Sequence, residues 1–296
     1  MLAHEPGYAR RFITGTLTDA EVRRIGFGDV ARTDVLIRRT LWEVAGTLLT
    51  ARRALTYGMA TNTAGGTHHA LPDAGSGFCL INDMAITART LLREGAVARV
   101  LVLDLDVHQG DGTAAIFEGD DSVATVSFHA ASNFPARKQK SDIDVALPDN
   151  ADDRTYLGEL ARVLPTALEH YQPDLVLYDA GVDLHQDDRL GRLSVSCEGI
   201  SRRDAMVFDE CAARGVPCAG LVGGGYHPDL SVLAERHARM HEAAAEVWQG
   251  CGFGAPLDSA PEACVAALPA PGEGMEAAFA EAGVVWARRD QEGAAA

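Results

Sequence analysis

Residues 99–112 read RVLVLDLDVHQGDG, and this stretch decides the fold. Its apolar part is short, rich in Val and Leu, and does not alternate with polar residues. That pattern is typical of a strand covered on both faces, as in a parallel sheet. Three later stretches have the same form, an apolar run that ends in polar residues: VATVSFH at 123–129, PDLVLYDAGVD at 173–183 and VPCAGLVGGGYH at 216–227.

Helical patterns lie between these runs, with apolar residues three and four positions apart. They cover residues 34–55, 82–92, 153–170, 201–213 and 230–248. Ser201 stands three positions before an acidic residue, which resembles a capping box and predicts the start of the fourth helix. The alternation of strands and helices predicts an α/β fold, an open and mostly parallel sheet with helices on both faces.

The composition excludes several classes of protein. The chain has 296 residues, of which 26 are basic and 42 acidic, and its formal net charge is −16. This charge argues against direct binding of nucleic acid, because phosphate contacts need clustered Lys and Arg. No apolar run approaches the roughly 20 residues that span a bilayer, and the start MLAHEPGYARR lacks the apolar core of a secretory signal. Six scattered cysteines without a CxxC pair indicate reduced thiols, and we expect a cytoplasmic protein.

Acidic and imidazole side chains follow the apolar runs. Open α/β sheets bind their ligands at the carboxyl ends of the strands. Buried carboxylates are costly unless they are paired or bound to a cation, and one metal ion explains several of them together. The polar residues at these ends are Asp104, Asp106, His108, His129, Asp179, Asp183, Tyr226 and His227.

Asp106 and His108 are two positions apart, so on an extended strand end they project toward the same face. With the distant Asp183 they make three protein ligands. Three ligands and one open position form the arrangement of a catalytic zinc site. For the pair alone, an equally good interpretation is that Asp106 caps a helix and His108 is a hydrogen-bonded surface histidine.

His68 and His69 lie in the stretch AGGTHHA, where paired glycines predict a tight loop. A neutral histidine near a metal-bound water is a good general base, and Asp104 and Asp111 are available to fix its tautomer. For this stretch alone, two loop histidines with one of them exposed is the simpler interpretation. Tyr226 follows three glycines; its hydroxyl can donate to a developing oxyanion, or its ring can pack over the rim of the sheet.

The motifs are far more specific together than singly. They occur in the order GGTHHA (65–70), GSGFCLINDMAI (75–86), DLDVHQGDGT (104–113), AGVDLHQDDRLG (180–191) and GGGYHPD (223–229). In this combination the sequence resembles the histone deacetylase family, within the wider arginase/deacetylase fold. The DRLG element and the GGTHHA form are similar to the class IV branch and its bacterial relatives. The resemblance covers about residues 3–248.

The resemblance implies a role for each residue that matches a family motif. Asp106, His108 and Asp183 would hold a zinc ion. His69 would be the general base and acid, supported by Asp111, whereas His68, supported by Asp104, would act mainly through its charge. Tyr226 would polarise the acyl carbonyl.

Two further sites follow from the resemblance alone. Gly77, Phe78 and Leu190 match wall positions of the tunnel that grips the acyl-lysine stem. A monovalent cation, K⁺ or Na⁺, would be bound nearby. Its ligands would be the Asp104 side chain, the Ser127 hydroxyl, and the backbone oxygens of Asp106, His108 and Phe128.

The sequence departs from the family at its start. The family's chains begin with a strand and a loop before a segment like Ala3–Pro6, and here that N-terminal strand is apparently lacking. We expect either a natural chain that starts upstream of Met1 or a degenerate copy that folds poorly. We assign residues 1–249 to a catalytic domain. Residues 250–296, rich in Ala, Pro and Gly, are predicted to be a largely disordered tail with a short helix near 275–282.

The leading hypothesis is a zinc-dependent amidohydrolase that removes acetyl or short acyl groups from lysine side chains. A second hypothesis is acetylpolyamine hydrolysis at the same site, since His185, Asp187 and Asp188 beside it suit either cationic substrate. A ureohydrolase with two manganese ions shares the fold but needs further bridging aspartates. A non-catalytic binding protein that retains the metal pocket is the alternative from another class. No membrane partner is expected.

Overall fold

A computed structural model describes residues 2–251, in which six strands form one sheet. The strands are β1 (Met59–Thr61), β2 (Val100–Asp104), β3 (Val123–Ala130), β4 (Ile143–Leu147), β5 (Leu175–Asp179) and β6 (Cys218–Leu221). The α-helices are α1 (Pro6–Ile13), α2 (Asp19–Ile25), α3 (Asp34–Tyr57), α4 (Asp83–Arg93), α5 (Asp111–Phe117), α6 (Asp153–Tyr171), α7 (Cys197–Ala213) and α8 (Leu230–Gly250); a 3₁₀ helix spans Gly28–Arg32.

The strand order is β1-β6-β5-β2-β3-β4, and every pair of neighbours is parallel. This confirms the predicted open α/β fold. Strand β2 lies centrally between β3 and β5, and every residue of these three strands is buried. Asp104 pairs in register with Ser127 on one side and with Asp179 on the other. The carboxyl ends of the central strands are therefore aligned.

The predicted start of the fourth helix was wrong. Helix α7 begins four residues before Ser201, and its N-cap is Ser196, whose side chain accepts a hydrogen bond from the Gly199 N–H. Ser196 is also held by a tertiary contact, since its backbone N–H and its hydroxyl both donate to the carboxylate of Asp153 at the start of α6. Ser201 lies inside the helix and bonds back to the carbonyl of Cys197. Local spacing cannot reveal which of two serines has a distant partner.

The segment that precedes the first strand is folded onto the core. Tyr8, Phe12 and Ile25, from α1 and α2, are fully buried, and the Tyr8 hydroxyl donates to the carbonyl oxygen of Leu80 at 2.6 Å. His4 is buried as well and bridges the carbonyl of Leu71 and a backbone N–H at the start of α4. No strand precedes β1 within residues 2–251, and β1 forms one edge of the sheet.

Most of the predicted tail lies outside the described residues. Helix α8 runs to Gly250, two residues beyond its predicted end, and the expectations for residues 252–296 fall on the undescribed part. The described helices include none that is long and apolar enough to cross a membrane.

Two buried carboxyl groups, those of Glu43 and Asp83, lie where α3 and α4 meet, beside the loop that carries His68. Asp83, the first residue of α4, accepts hydrogen bonds from the Thr47 hydroxyl at 2.6 Å and from the Thr67 N–H at 2.8 Å. Glu43, on the inner face of α3, is 7% exposed, and its Oε1 lies 3.0 Å from an Arg39 nitrogen. Burial, with the negative charge of Asp83, raises the pKa of Glu43 to about 7.

We predict that Glu43→Gln removes a pH-dependent loss of stability. Because the folded-state pKa of Glu43 is above the unfolded value, its ionisation favours unfolding. The wild type should lose on the order of 3 kcal/mol relative to E43Q between about pH 4.5 and pH 7. Urea unfolding of both proteins at pH 5 and pH 8.5 measures this difference. Equal pH dependence in both would contradict the prediction.

Candidate active site

Three side chains that could hold a metal ion, Asp106, His108 and Asp183, converge just beyond the ends of β2 and β5. Strand β2 ends at Asp104, so Asp106 and His108 lie in the following loop, and their placement on an extended strand end was wrong. The loop nevertheless brings them together with Asp183. His108 Nδ1 lies 3.0 Å from Asp106 Oδ1 and 3.0 Å from Asp183 Oδ2.

Backbone amides hold the two carboxylates in place. Asp106 Oδ1 accepts from the His108 N–H at 2.8 Å, and Oδ2 accepts from the Gly224 N–H at 2.8 Å. Asp183 Oδ1 accepts from the Val107 N–H at 2.9 Å. His108 is buried, and the residue that caps α5 is Gly110. The alternative of a capping aspartate beside a surface histidine is therefore wrong.

The electrostatics of this group suit a cation. Burial and the nearby charge of Asp106 raise the pKa of Asp183 to about 7. Burial lowers the pKa of His108, but its hydrogen bonds to Asp106 and Asp183 outweigh burial and raise it to about 10. The ligand atoms of the three residues lie within 4.8 Å of one another. One imidazole and two carboxylates are a donor set that zinc accepts, so the residues present fit a metal ion.

Gly224 shapes the space between the two carboxylates. A Cβ atom at this position would lie 2.4 Å from Asp106 Oδ2 and 2.4 Å from Asp183 Oδ2. Real Cβ atoms do not approach oxygen so closely. The GGGYH segment thus supplies a backbone N–H to the site and leaves the room that its carboxylates occupy.

The paired histidines lie beside this group, and both are buried. Their ring centroids are 4.0 Å apart. His68 Nδ1 lies 2.8 Å from Asp104 Oδ2, and His69 Nδ1 lies 2.6 Å from Asp111 Oδ1. The simpler interpretation, with one exposed histidine, is wrong, because each is only 4% exposed.

The two histidines have opposite pKa shifts. Burial, with the nearby imidazole of His68, lowers the pKa of His69 to about 4. Burial acts on His68 as well, but the carboxylates of Asp104, Asp106 and Asp179 outweigh it and raise the pKa of His68. His69 is therefore neutral and able to accept a proton, whereas His68 favours the charged form.

Partly exposed aromatic and apolar side chains lie near the two histidines. Phe78 and Leu190 are each 45% exposed. The ring of Tyr226 lies edge-on to His108, with centroids 6.2 Å apart. Gly77 has a positive φ of 52°, and a Cβ there would lie 2.5 Å from His69 Cδ2, so the turn that presents Phe78 requires glycine.

Phe134 was not among the site residues predicted from the sequence. Its ring lies edge-on to His69 at 4.8 Å, is 44% exposed and belongs to the loop after β3. That loop has neither strand nor helix periodicity, so no pattern pointed to it.

Asp179 was noted at a strand end but was given no role. It is fully buried, both of its carboxylate oxygens are without a hydrogen-bond partner, and Oδ2 lies 3.7 Å from His68 Nδ1. Burial and the charge of Asp104 raise its pKa. Asp179 forms a second group of potential metal ligands with His68 and Asp104.

Of the predicted monovalent-cation residues, Asp104 ends β2, Ser127 and Phe128 lie in the neighbouring strand β3, and Asp106 and His108 lie in the loop after β2. Ser127 is in register with Asp104, and Phe128 follows it in β3. The Ser127 hydroxyl lies 3.0 Å from His129 Nδ1. The cation site stays a prediction.

Comparison with known proteins assigns the family. Residues 1–242 match the model of the histone deacetylase domain. The chain belongs to the histone deacetylase family. An uncharacterized protein of Picosynechococcus sp. is 50% identical over 247 residues, which cover 83% of this chain and 81% of that protein. Histone deacetylase 2 of Arabidopsis thaliana is 33% identical over 187 residues, which cover 62% of this chain and 48% of that protein.

A solved structure shares the fold. Acetylpolyamine aminohydrolase from Burkholderia pseudomallei superposes with a TM-score of 0.65 at 24% identity, over 83% of this chain and 82% of that chain. The chain thus spans most of that fold but only about half the length of the Arabidopsis histone deacetylase. Membership of the histone deacetylase family supports a deacetylase-type hydrolase as the class of activity.

We predict that Gly224→Ala weakens divalent-metal binding. The new methyl group would push Asp106 and Asp183 out of their shared position, and a loss of about tenfold or more in affinity is expected. Competition with a chromogenic chelator measures it. Gly158→Ala is the matched control, since Gly158 is exposed in α6 with no atom within 4 Å of its Cβ position. Equal affinity in G224A and wild type would contradict the prediction.

Proposed function

We propose that this protein is a zinc-dependent deacetylase that removes acetyl or short acyl groups from lysine side chains. One observation carries the proposal. The buried group of Asp106, His108 and Asp183 lies beside two histidines, each paired with its own carboxylate, and the partly exposed rings of Phe134 and Phe78 lie against His69 and Tyr226. We assign this activity to a domain of residues 1–249.

Asp106, His108 and Asp183 would hold the zinc ion. When bound, zinc would act as a Lewis acid that polarises the amide carbonyl, and it would lower the pKa of a bound water to about 7. The backbone amides of Val107, His108 and Gly224 orient the carboxylates and stabilise their negative charge. We further propose a structural K⁺ or Na⁺ whose ligands would be the Asp104 side chain, the Ser127 hydroxyl, and the backbone oxygens of Asp106, His108 and Phe128.

His69 is proposed as the general base. Because a carboxylate only accepts hydrogen bonds, the Nδ1 of His69 carries a proton toward Asp111, and its Nε2 retains a lone pair. The low pKa of His69 keeps it neutral in the resting protein. It takes a proton from the attacking water and returns it to the leaving amine.

His68 and Tyr226 are proposed to stabilise charge. The carboxylates around His68 favour its protonated form, so it places a positive charge beside the reacting amide. The Tyr226 backbone N–H donates to Asp188 Oδ2 at 2.7 Å, and this bond fixes the position of Tyr226. Burial and the charge of Asp106 raise the pKa of the Tyr226 hydroxyl, so it remains a hydrogen-bond donor to the oxyanion.

The surface beside His69 and Tyr226 suits a narrow alkyl chain with a polar end. Phe78, Phe134 and Leu190 expose apolar surface there, with Gly77 at the turn that presents Phe78. Asp188 also accepts from the backbone N–H groups of Leu190 and Gly191, which holds this part of the wall. A lysine stem or a polyamine would pack its methylenes against these side chains.

Acetylpolyamine hydrolysis is the second candidate. The side chain of Asp187, next to Asp188 in the chain, is 61% exposed, and its negative charge would attract a cationic polyamine. Asp187 also lies 3.5 Å from an Arg236 nitrogen, and this contact offsets part of its charge. A screen of acetyl-lysine peptides against N-acetylpolyamines separates the two substrates.

A two-manganese ureohydrolase would use the group of His68, Asp104 and Asp179 as a second metal site. Metal analysis decides between this enzyme and the proposed deacetylase, since two manganese ions per chain would contradict our proposal.

We predict that His69→Ala and Tyr226→Phe each lower the turnover of acetyl-lysine peptides by about 10²-fold or more, because each removes a proton acceptor or an oxyanion donor. Steady-state kinetics on zinc-loaded protein and urea unfolding measure the effect. His170→Ala, an exposed residue of α6, and Tyr57→Phe, at the end of α3, are the controls and should keep wild-type turnover.

Wild-type turnover in H69A or Y226F would contradict the assigned roles. A wild type that binds one equivalent of zinc but hydrolyses neither acetyl-lysine peptides nor N-acetylpolyamines would instead favour a non-catalytic binding protein.

A further inference from the structure

Arg203, in the middle of α7, is fully buried at 0% exposure. Arginine is almost never so deeply buried unless its charge is paired and its donors are satisfied. Nothing in the proposed chemistry uses this residue. Its environment therefore requires a separate explanation.

The guanidinium group of Arg203 donates to backbone carbonyls beyond two different strand ends. Its Nη1 donates to the oxygens of Gly181 and Leu105, the latter at 3.4 Å, and its Nη2 donates to Ala180 O at 3.3 Å. Leu105 is the residue before Asp106. Ala180 and Gly181 follow β5 and lead to Asp183.

Backbone pairing between β2 and β5 ends at this point. The hydrogen bond from the Leu105 N–H to Asp179 O, at 3.0 Å, continues their ladder by one step. The Ala180 N–H then donates to the oxygen of Leu221, the last residue of β6, and the Val182 N–H donates to Gly224 O in the segment that follows β6. Arg203 therefore connects the segments that follow β2 and β5 at the point where backbone hydrogen bonds between them end.

The guanidinium is itself held in one orientation. Asp204 Oδ1 accepts from Arg203 Nε at 2.9 Å and lies 2.8 Å from Nη2. The Tyr178 hydroxyl donates to the same oxygen of Asp204, and the Tyr178 ring centroid lies 5.8 Å from the guanidinium carbon. Tyr178 belongs to β5, so the support for Arg203 comes from one of the strands that it joins.

We infer that Arg203 is a positioning residue that sets the separation of Asp106 and Asp183 by tying together the loops that carry them. The inference rests on the proposed function, because it assumes that these two carboxylates share a metal ion. A planar guanidinium can reach three carbonyls together, whereas a lysine ammonium on a flexible stem cannot hold the same geometry. A role in folding alone would change stability and leave the metal affinity of the folded protein unchanged.

The test compares Arg203→Met with Arg202→Met, which removes an exposed arginine from the preceding position of α7. Zinc affinity is measured by competition with a chromogenic chelator, and stability by urea unfolding. We expect R203M to bind zinc about tenfold to 100-fold more weakly than wild type, and R202M to match wild type. At saturating zinc, R203M should show a lower kcat with a similar KM, because the side chains proposed to contact the alkyl chain, Phe78, Phe134 and Leu190, are unchanged.

Two milder variants decide the matter if R203M does not fold. Arg203→Lys keeps the charge, and Tyr178→Phe keeps the ring but loses the hydrogen bond to Asp204. Each should weaken zinc binding by a smaller factor than R203M would. Wild-type affinity in the folded members of the set would overturn the inference. Zinc binding without amide hydrolysis in the wild type would overturn the proposed function alone, and a wild type that binds no divalent metal would overturn both.

Discussion

The structure depends on the burial of several carboxylates at the carboxyl ends of the central strands of a parallel sheet. Asp104, Asp106, Asp179 and Asp183 are each at most 3% exposed, and they stand at or just beyond the ends of the adjacent strands β2 and β5. Like charges so close together destabilise one another, and burial adds to that cost. The rest of the site must supply positive charge and hydrogen-bond donors to compensate.

The compensation comes from three kinds of group. Backbone N–H groups of the loops donate to Asp106 and Asp183, which requires segments such as GGGYH that bring the main chain close. The imidazoles of His68 and His108 lie within 3.0 Å of these carboxylates. A guanidinium lies behind them and satisfies carbonyl groups that the sheet no longer pairs. A divalent cation between Asp106, His108 and Asp183 would compensate the remaining negative charge. The chemistry and the stability of these strand ends therefore both follow from the buried carboxylates.

The sequence predicted the central strands, and it pointed to the polar residues that converge beyond their ends, because both leave a local pattern in the sequence. Apolar runs such as the one before Asp104 report burial on two faces, and the polar residues at their ends report the edge of the sheet. The start of α7 was wrong because Ser196, rather than Ser201, has a partner in Asp153. Phe134 was missed because its position depends on a loop without periodicity. Contacts between distant segments are not encoded in spacing.

Contacts with distant segments also explain why the adjacent histidines His68 and His69 have different pKa values. His68 lies between the carboxylates of Asp104 and Asp179, at 2.8 Å and 3.7 Å from its Nδ1. His69 has one carboxylate, that of Asp111, and a charged imidazole next to it. Burial opposes the charge of both, but only His68 has enough negative charge around it to overcome burial. Asp179, a strand-end residue in register with Asp104, thus contributes to dividing one pair of identical side chains into a charged group and a neutral base.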